Sequence, residues 1–242
     1  MNYSASISDF FKSPKWAMNM LLGGLCVLIP VIGPIVIVGW LVIGFWGRED
    51  EGFEKFPAFD FNHFGKYLER GIWPFLVVLV ATLAIMPVIF VLIVPMMLLE
   101  SLVAGPNGDS GGLAAVLIGL VMFLVYLLFL MTTVLVMTPL KVRASLVQDF
   151  GKSFSLAFVK CFISLTWKES ILVWLFMLVV STGFMIAGML ACCIGIYFVM
   201  VPIYFAWTHL SKQLYALYLS RGGEPVMRSP KFTEGPPPLS VA

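Results

Sequence analysis

Residues 116–137 read VLIGLVMFLVYLLFLMTTVLVM, a run of 22 residues without a charged side chain. An α-helix needs about 20 apolar residues to cross the ~30 Å of hydrocarbon in a bilayer. A membrane β-strand would instead show segments of about 10 residues in which apolar and polar side chains alternate. This run is continuous, and a helix pairs its own backbone amides in lipid. It therefore predicts a membrane-spanning helix.

Four uncharged stretches of this kind divide the chain. They have 32, 29, 31 and 39 residues and lie at 16–47, 71–99, 110–140 and 170–208. The whole chain of 242 residues is 60% hydrophobic and only 12% charged, with a mean hydropathy of +1.00, whereas soluble domains average about 25% charged residues. These figures predict an all-α integral membrane protein. The net charge of +2 predicts no nucleic-acid partner.

Lysine and arginine counts predict the orientation of the chain, because cytoplasmic segments of membrane proteins carry an excess of both. The residues before 16 carry two, the segment 48–70 four, the segment 141–169 five and the residues after 208 four. The segment 100–109 carries none. We therefore expect 100–109 to face outside and both termini to lie in the cytoplasm.

The predicted organisation is a single polytopic membrane domain over residues 1–221, with about four full transmembrane helices. We expect the tail 222–242 to be disordered, because it is rich in Pro and Gly. The predicted elements are a hairpin at 16–47, spans at 71–99 and 113–139, an interfacial helix at 144–166 and a hairpin at 168–210.

The N-terminal hairpin is predicted from Pro30, Gly33 and Pro34, which break the first uncharged stretch near its middle. Two legs of about 14 residues reach only ~21 Å, so a re-entrant hairpin is favoured over two short spans. The turn of the last hairpin is predicted to lie either at 181–183 or near Gly188.

An amphipathic pattern marks residues 144–166. Phe150, Phe154, Phe158 and Phe162 follow the spacing of one helical face, and basic side chains such as Lys160 occupy the other. This pattern is typical of a helix that lies in the headgroup plane.

Candidate sites are few, and the sequence contains no phosphate loop, H-E-x-x-H or G-x-S-x-G motif. We therefore predict no catalytic residue, no metal site, no cofactor and no enzyme. The vicinal cysteines Cys192 and Cys193 have no metal-site spacing. The candidate residues are Pro30, Gly33 and Pro34 for a helix break or pore, and Ala187, Ala191 and Gly195 for a small-residue packing stripe.

The N-terminal third resembles an uncharacterised family of bacterial polytopic membrane proteins, a domain of unknown function. The likeness is strongest over residues 8–75. It implies a bacterial-type inner-membrane protein with several spans, and it implies no activity. It is carried by the segments FKSPKW at 11–16, LGGL at 22–25, LIPVIGP at 28–34, GW at 39–40, FPAFD at 56–60, FG at 64–65 and RG at 70–71.

Three functions fit these patterns. The first is a structural or accessory component of a membrane assembly, with the lipid bilayer and other membrane subunits or a second copy as partners. The alternative is a passive channel or permease for a small anion or neutral solute, because the broken hairpin could aim a helix N-terminus at an anion. The third is a lipid-acting enzyme, for which only Asp60, His63 and Glu69 could supply an interfacial polar cluster.

Overall fold

The computed structural model describes residues 1–48, 52–104, 112–191 and 194–232. Within these ranges the chain is all α-helical, with short 3₁₀ turns at Phe53–Lys55, Phe61–His63 and Pro230–Phe232. The α-helices are α1 (Tyr3–Lys12), α2 (Trp16–Val27), α3 (Ile32–Trp46), α4 (Phe64–Ala104), α5 (Gly112–Val147), α6 (Phe150–Ser153), α7 (Leu156–Leu190) and α8 (Gly195–Ser220).

Three helices in the described part of the chain are long and apolar enough to cross a membrane, namely α4, α5 and α7. They contain 41, 36 and 35 residues, which gives lengths of about 62, 54 and 53 Å. Each therefore extends well beyond the ~30 Å of hydrocarbon. The predicted outward-facing segment 100–109 lies mostly outside the described residues.

The fold consists of a close-packed part and an open part. We call residues 1–71, 140–170 and 201–232 the base, and residues 72–139 and 171–200 the arms. The base holds most of the fully buried large side chains, and α8 runs through its middle. In the arms, the most apolar 18-residue windows of α4, α5 and α7 have only 11%, 0% and 22% of their residues buried. The arms thus leave most of their apolar surface uncovered by this chain.

Aromatic side chains fill the centre of the base. Phe45 and Phe205 lie 4.9 Å apart between ring centroids, and the Trp40 ring meets Phe56 edge-on at 5.4 Å. Such pairs add roughly 0.5–1.5 kcal/mol each beyond the area that they bury. The Trp40 indole also donates to the Pro57 carbonyl at 3.0 Å, which fastens the segment before α4 onto α3.

The predicted interfacial helix at 144–166 is wrong as a separate element. The helix α5 continues to Val147 and stops where Gln148 adopts a left-handed φ of 54°. After the short α6, Ser155 caps α7, which then runs without interruption to Leu190. Residues 156–166 do have an apolar face, but its side chains Phe158 and Phe162 are buried in the core of the base. Helical periodicity reports a buried face and does not distinguish a protein core from a lipid headgroup layer.

The turn of the last hairpin falls near the second of its two expected places. Residues 181–183 lie inside α7, and the Thr182 hydroxyl donates to the Leu178 carbonyl within the same helix at 2.7 Å. The chain leaves α7 at Leu190 and re-enters a helix at Gly195. The cysteines Cys192 and Cys193 lie outside the described residues.

Residues 222–232 correct the prediction of a disordered tail. The Val226 amide donates to the Tyr215 hydroxyl at 2.8 Å, and the Ser229 amide donates to the Leu146 carbonyl at 2.9 Å. The glycines that suggested disorder serve a tight turn: Gly222 has a φ of +88°, and a side chain at Gly223 would overlap the Tyr218 ring. The remainder of the predicted tail, 233–242, lies outside the described residues.

Removal of residues 222–242 is expected to lower the free energy of unfolding by about 2–4 kcal/mol, because buried Val226 and two hydrogen bonds are lost. Thermal unfolding in mild detergent measures the change. A chain that ends at Phe232 keeps every contact named above and is the matched control. Equal stability of the two truncated chains would contradict the packing of this segment.

Candidate functional site

The candidate break at Pro30, Gly33 and Pro34 lies between α2 and α3. The helix α2 ends at Val27, α3 begins at Ile32, and Val31 between them has a left-handed φ of 67°. A side chain at Gly33 would overlap the Cys26 carbonyl oxygen. Gly33 is therefore required for the close approach of the two helices.

The first turn of α3 has no amide left for an anion. The Ile32 amide donates to the Pro30 carbonyl at 2.7 Å, Gly33 to Ile29 at 2.9 Å and Ile35 to Val31 at 3.4 Å. Pro34 has no N–H group. Anion sites at helix N-termini depend on free N–H groups, so this turn lacks the donors that the channel hypothesis requires. The exposed side chains at the tip, such as Val31 at 60%, are apolar.

The candidate stripe Ala187, Ala191 and Gly195 does not lie on one helix. Ala187 belongs to α7, Ala191 caps its C-terminus, and Gly195 begins α8. A side chain at Gly195 would lie 2.7 Å from both the Ala191 Cβ and the Gly188 carbonyl oxygen. The small residues thus permit the tight reversal from α7 to α8, so the predicted packing stripe serves a contact within the chain but does not run along one helix.

Asp60, His63 and Glu69 do not form one cluster. The Asp60 carboxylate accepts the Asn62 amide at 2.9 Å, which caps the 3₁₀ turn before α4 and lowers the pKa of Asp60. The His63 Nδ1 lies 3.7 Å from the Asp60 Oδ2, and both side chains are partly exposed. Glu69 pairs instead with Lys231 at 2.9 Å. The arrangement agrees with a helix cap and offers no convergent catalytic groups.

The base contains a polar cluster that joins the two ends of the chain. The His209 Nε2 on α8 lies 3.4 Å from the Asp9 Oδ2 on α1, and the Lys12 Nζ lies 2.7 Å from the Asp9 Oδ1. The Gln213 side-chain amide is 3.0 Å from the His209 Nδ1. Since an amide N–H can only donate, Nδ1 accepts and the imidazole proton lies on Nε2, directed at Asp9.

Burial controls the charge of this cluster. Asp9 and His209 are 4% and 6% exposed, and the rings of Phe45, Phe53 and Phe205 surround the imidazole. Residue 209 follows the last uncharged stretch and lies outside the three spanning helices. Burial lowers the pKa of His209 to about 4, against the opposing effect of the Asp9 carboxylate. His209 is therefore neutral at pH 7.

The polar contacts of this cluster hold α1 against α8. The Asn2 amide donates to the Gln213 Oε1 at 2.6 Å, and the Gln213 Nε2 donates to the Asn2 carbonyl at 3.0 Å. These bonds and the Asp9–His209 contact fasten α1 along α8. The sequence analysis singled out neither His209 nor Asp9 as a functional residue. The two are 200 positions apart, and the only local signal is the buried face of α1 that contains Ser6, Asp9 and Phe10.

A second buried polar contact holds the segment before α4. The Asn19 Oδ1 on α2 accepts the Phe59 amide at 2.8 Å, and Asn19 is 1% exposed. This bond satisfies a backbone N–H group that no solvent reaches, which is the usual requirement for a buried amide. It also fixes the entry of the chain into α4.

Asn19→Ala is expected to destabilise the protein by about 1–3 kcal/mol, because the buried Phe59 amide loses its acceptor. Denaturant or thermal unfolding in detergent measures the loss. Asn62→Ala at an exposed position is the control and is expected to stay within about 0.5 kcal/mol of the parent. A loss at residue 19 no larger than that at residue 62 would refute the role of this bond.

Metal-binding groups were also sought. No group of three or more His, Cys, Asp or Glu side chains suited to a metal ion occurs among the residues that the structure describes. Of the cysteines within those residues, Cys26 is buried and Cys161 is exposed, and both are free thiols.

The long apolar helices and their uncovered surfaces define the chain as a helical membrane protein. It belongs to the family described as "Protein of unknown function (DUF4013)", which matches residues 22–196. The resemblance to an uncharacterised family is thereby confirmed, and the match extends far beyond residue 75. Comparison with curated proteins gave no match, and neither did comparison with solved structures.

Proposed function

We propose that this protein is a non-catalytic component of a membrane assembly, in which helices of other subunits or of a second copy pack on its arms. The observation that supports the proposal is the contrast between the two parts of the fold. The base is close-packed, whereas the most apolar window of α5 has none of its residues buried. Helices that associate in lipid do so through close side-chain packing, and the arms still have most of their surface available for it.

The proposed location is a bacterial-type inner membrane, with the base and both termini on the cytoplasmic side. This orientation requires the chain to return through the bilayer after α7, and we propose α8 as this fourth crossing. All 15 Lys and Arg residues belong to the base, and the arms contain none. An excess of these residues marks the cytoplasmic side of such a membrane. The family supplies no activity that would argue for another role.

We also propose that α2 and α3 form a re-entrant hairpin. They have 12 and 15 residues, which gives about 18 and 23 Å, short of the ~30 Å of hydrocarbon. The exposed apolar tip at residues 28–32 suits a segment that enters the lipid and returns to the base. The channel alternative is not supported, because the amides in the first turn of α3 are already bonded.

Photo-cross-linking in native membranes tests the assembly proposal. A photoreactive residue at Val121 or Leu128, both exposed on α5, is expected to give a discrete protein adduct of one mass. The same probe at Lys15, exposed in the base, is the control and is expected not to give that adduct. Lipid adducts alone at both arm positions, together with a single-chain particle in mild detergent, would refute the assembly role.

A further inference from the structure

A groove opens between the two arms on one side of the molecule. It encloses about 820 Å³, including space open to the surroundings, between Val134 of α5, Trp207 of α8 and one face of α7. Eight of the ten lining residues are apolar, among them Trp174, Met185 and Ile186. The Thr182 hydroxyl in its wall is bonded within α7, so the wall offers little to a polar occupant.

Lys141 does not line the groove itself, but it follows the lining residue Val134 on α5 in the direction of the base. Val134, Thr138, Lys141 and Ser145 share one face of α5 by their helical spacing. Thr138 and Ser145 are buried, so this face is directed into the protein. Side chains in a helix tilt toward its N-terminus, which for Lys141 is the direction of Val134 and the groove. Seven residues separate Val134 from Lys141, a rise of about 10 Å.

Among the residues that the structure describes, the ammonium group of the half-buried Lys141 has neither an ion pair nor a hydrogen bond. Several other basic groups of the base have partners, among them Lys12 with Asp9, Arg221 with Glu169 and Lys231 with Glu69. Basic side chains for which no partner is found among the described residues, such as Lys15 and Lys160, are exposed. A lysine at the boundary of a spanning segment without a counter-charge calls for an anion from outside the chain.

We propose that the groove and Lys141 together bind an anionic phospholipid. One acyl chain occupies the apolar groove, and the phosphate lies at the Lys141 ammonium. Basic pockets between spanning helices are a known setting for anionic headgroups. A zwitterionic lipid would satisfy the groove but would bring its own positive charge to Lys141. The site therefore selects by headgroup charge, and this inference is independent of the assembly role.

Quenching of tryptophan fluorescence by brominated acyl chains tests the proposal in the full chain reconstituted in nanodiscs. The signal from Trp174 is the difference between the parent and Trp174→Phe. Brominated phosphatidylglycerol is expected to quench it at lower mole fraction than brominated phosphatidylcholine, and the preference is expected to fall as salt is added. Equal quenching by the two lipids, at low and high salt alike, would overturn the proposal without any lysine variant.

Variants of Lys141 test whether the phospholipid headgroup binds at this residue. Lys141→Met is expected to reduce the preference for phosphatidylglycerol about five-fold, the effect of roughly 1 kcal/mol per lysine near an anionic headgroup. Lys141→Arg keeps the charge and is expected to retain it. Lys160→Met removes the same charge from an exposed position of the base and is the control. An equal loss at residue 160 would mean general surface attraction and would overturn the site.

Substitutions that fill the groove test whether the acyl chain binds there. Val134→Phe adds bulk to the wall and is expected to reduce the binding of the anionic lipid, whereas Leu128→Phe at an exposed position of the same helix is expected not to. Unchanged binding with Val134→Phe would overturn the groove as the acyl-chain site. A protein helix cross-linked at Val134 in place of lipid would overturn it too.

Discussion

Gly71→Ala is expected to lower the free energy of unfolding by at least about 3 kcal/mol, the upper end of the usual cost of overpacking. The reason is the crossing of α3 and α4, where two backbones touch. A Cβ at Gly71 would overlap the Ile35 carbonyl oxygen and lie 2.8 Å from the Gly39 amide nitrogen. A Cβ at Gly39 would overlap the Tyr67 carbonyl oxygen. Backbone atoms cannot move aside as a flexible side chain can, so the helices must separate.

Matched glycines in the arms provide the control. Gly119 in α5 and Gly183 in α7 have open space where a Cβ would stand. Gly119→Ala and Gly183→Ala are expected to be neutral or to gain up to about 1 kcal/mol from helix propensity. Thermal unfolding and the monodisperse yield in detergent compare the three variants. If Gly71→Ala were as stable as Gly119→Ala, the result would contradict the close backbone contact of α3 and α4 at Gly71.

Acidification from pH 7 to pH 4 is expected to cost the fold about 3 kcal/mol through His209. The pKa of His209 is lowered from 6.5 to about 4 in the folded chain, mainly by burial. Between these two values the unfolded chain binds a proton that the folded chain does not. Stability from this group is therefore complete above pH 6.5, falls as the pH drops toward 4, and changes no further below that value.

Carboxyl groups also titrate in this range, so the effect must be read as a difference between variants. Unfolding is measured from pH 7 to pH 4 for the parent, for His209→Gln and for His63→Gln. The chain has two histidines, and His63 is partly exposed. His209→Gln is expected to remove most of the pH dependence between 6.5 and 4, and His63→Gln to leave it intact. The same slope in all three proteins would refute the role of the buried imidazole.

Local patterns in the sequence predicted the helical membrane class. Runs such as 116–137 contain no charged side chain, so composition and length determine their environment. The same local information misassigned 144–166, since the stripe of Phe158 and Phe162 needs only an apolar neighbour, and α8 supplies it in place of lipid. It also misassigned 222–232, where Gly222 and Gly223 make a turn onto Tyr218.

The polar sites could not be predicted, because they depend on contacts between distant parts of the chain. Asp9 and His209 come into contact only when α1 packs against α8. Asn19 similarly depends on the return of residue 59 to α2. Lys141 could be placed at the boundary of a spanning segment from the sequence, but its lack of a counter-charge among the described residues appears only when its neighbours are known.

The pairing of Asn2 with Gln213, 211 residues apart, sets the order in which the protein matures. Synthesis delivers α1 first and α8 last, so the first helix emerges without the surface that later covers it. The membrane helices form from local contacts as they are inserted, whereas closure of the base must wait for nearly the whole polypeptide. An arrested or shortened chain would thus expose the aromatic face of α3 that α8 covers in the complete fold, where Phe45 meets Phe205.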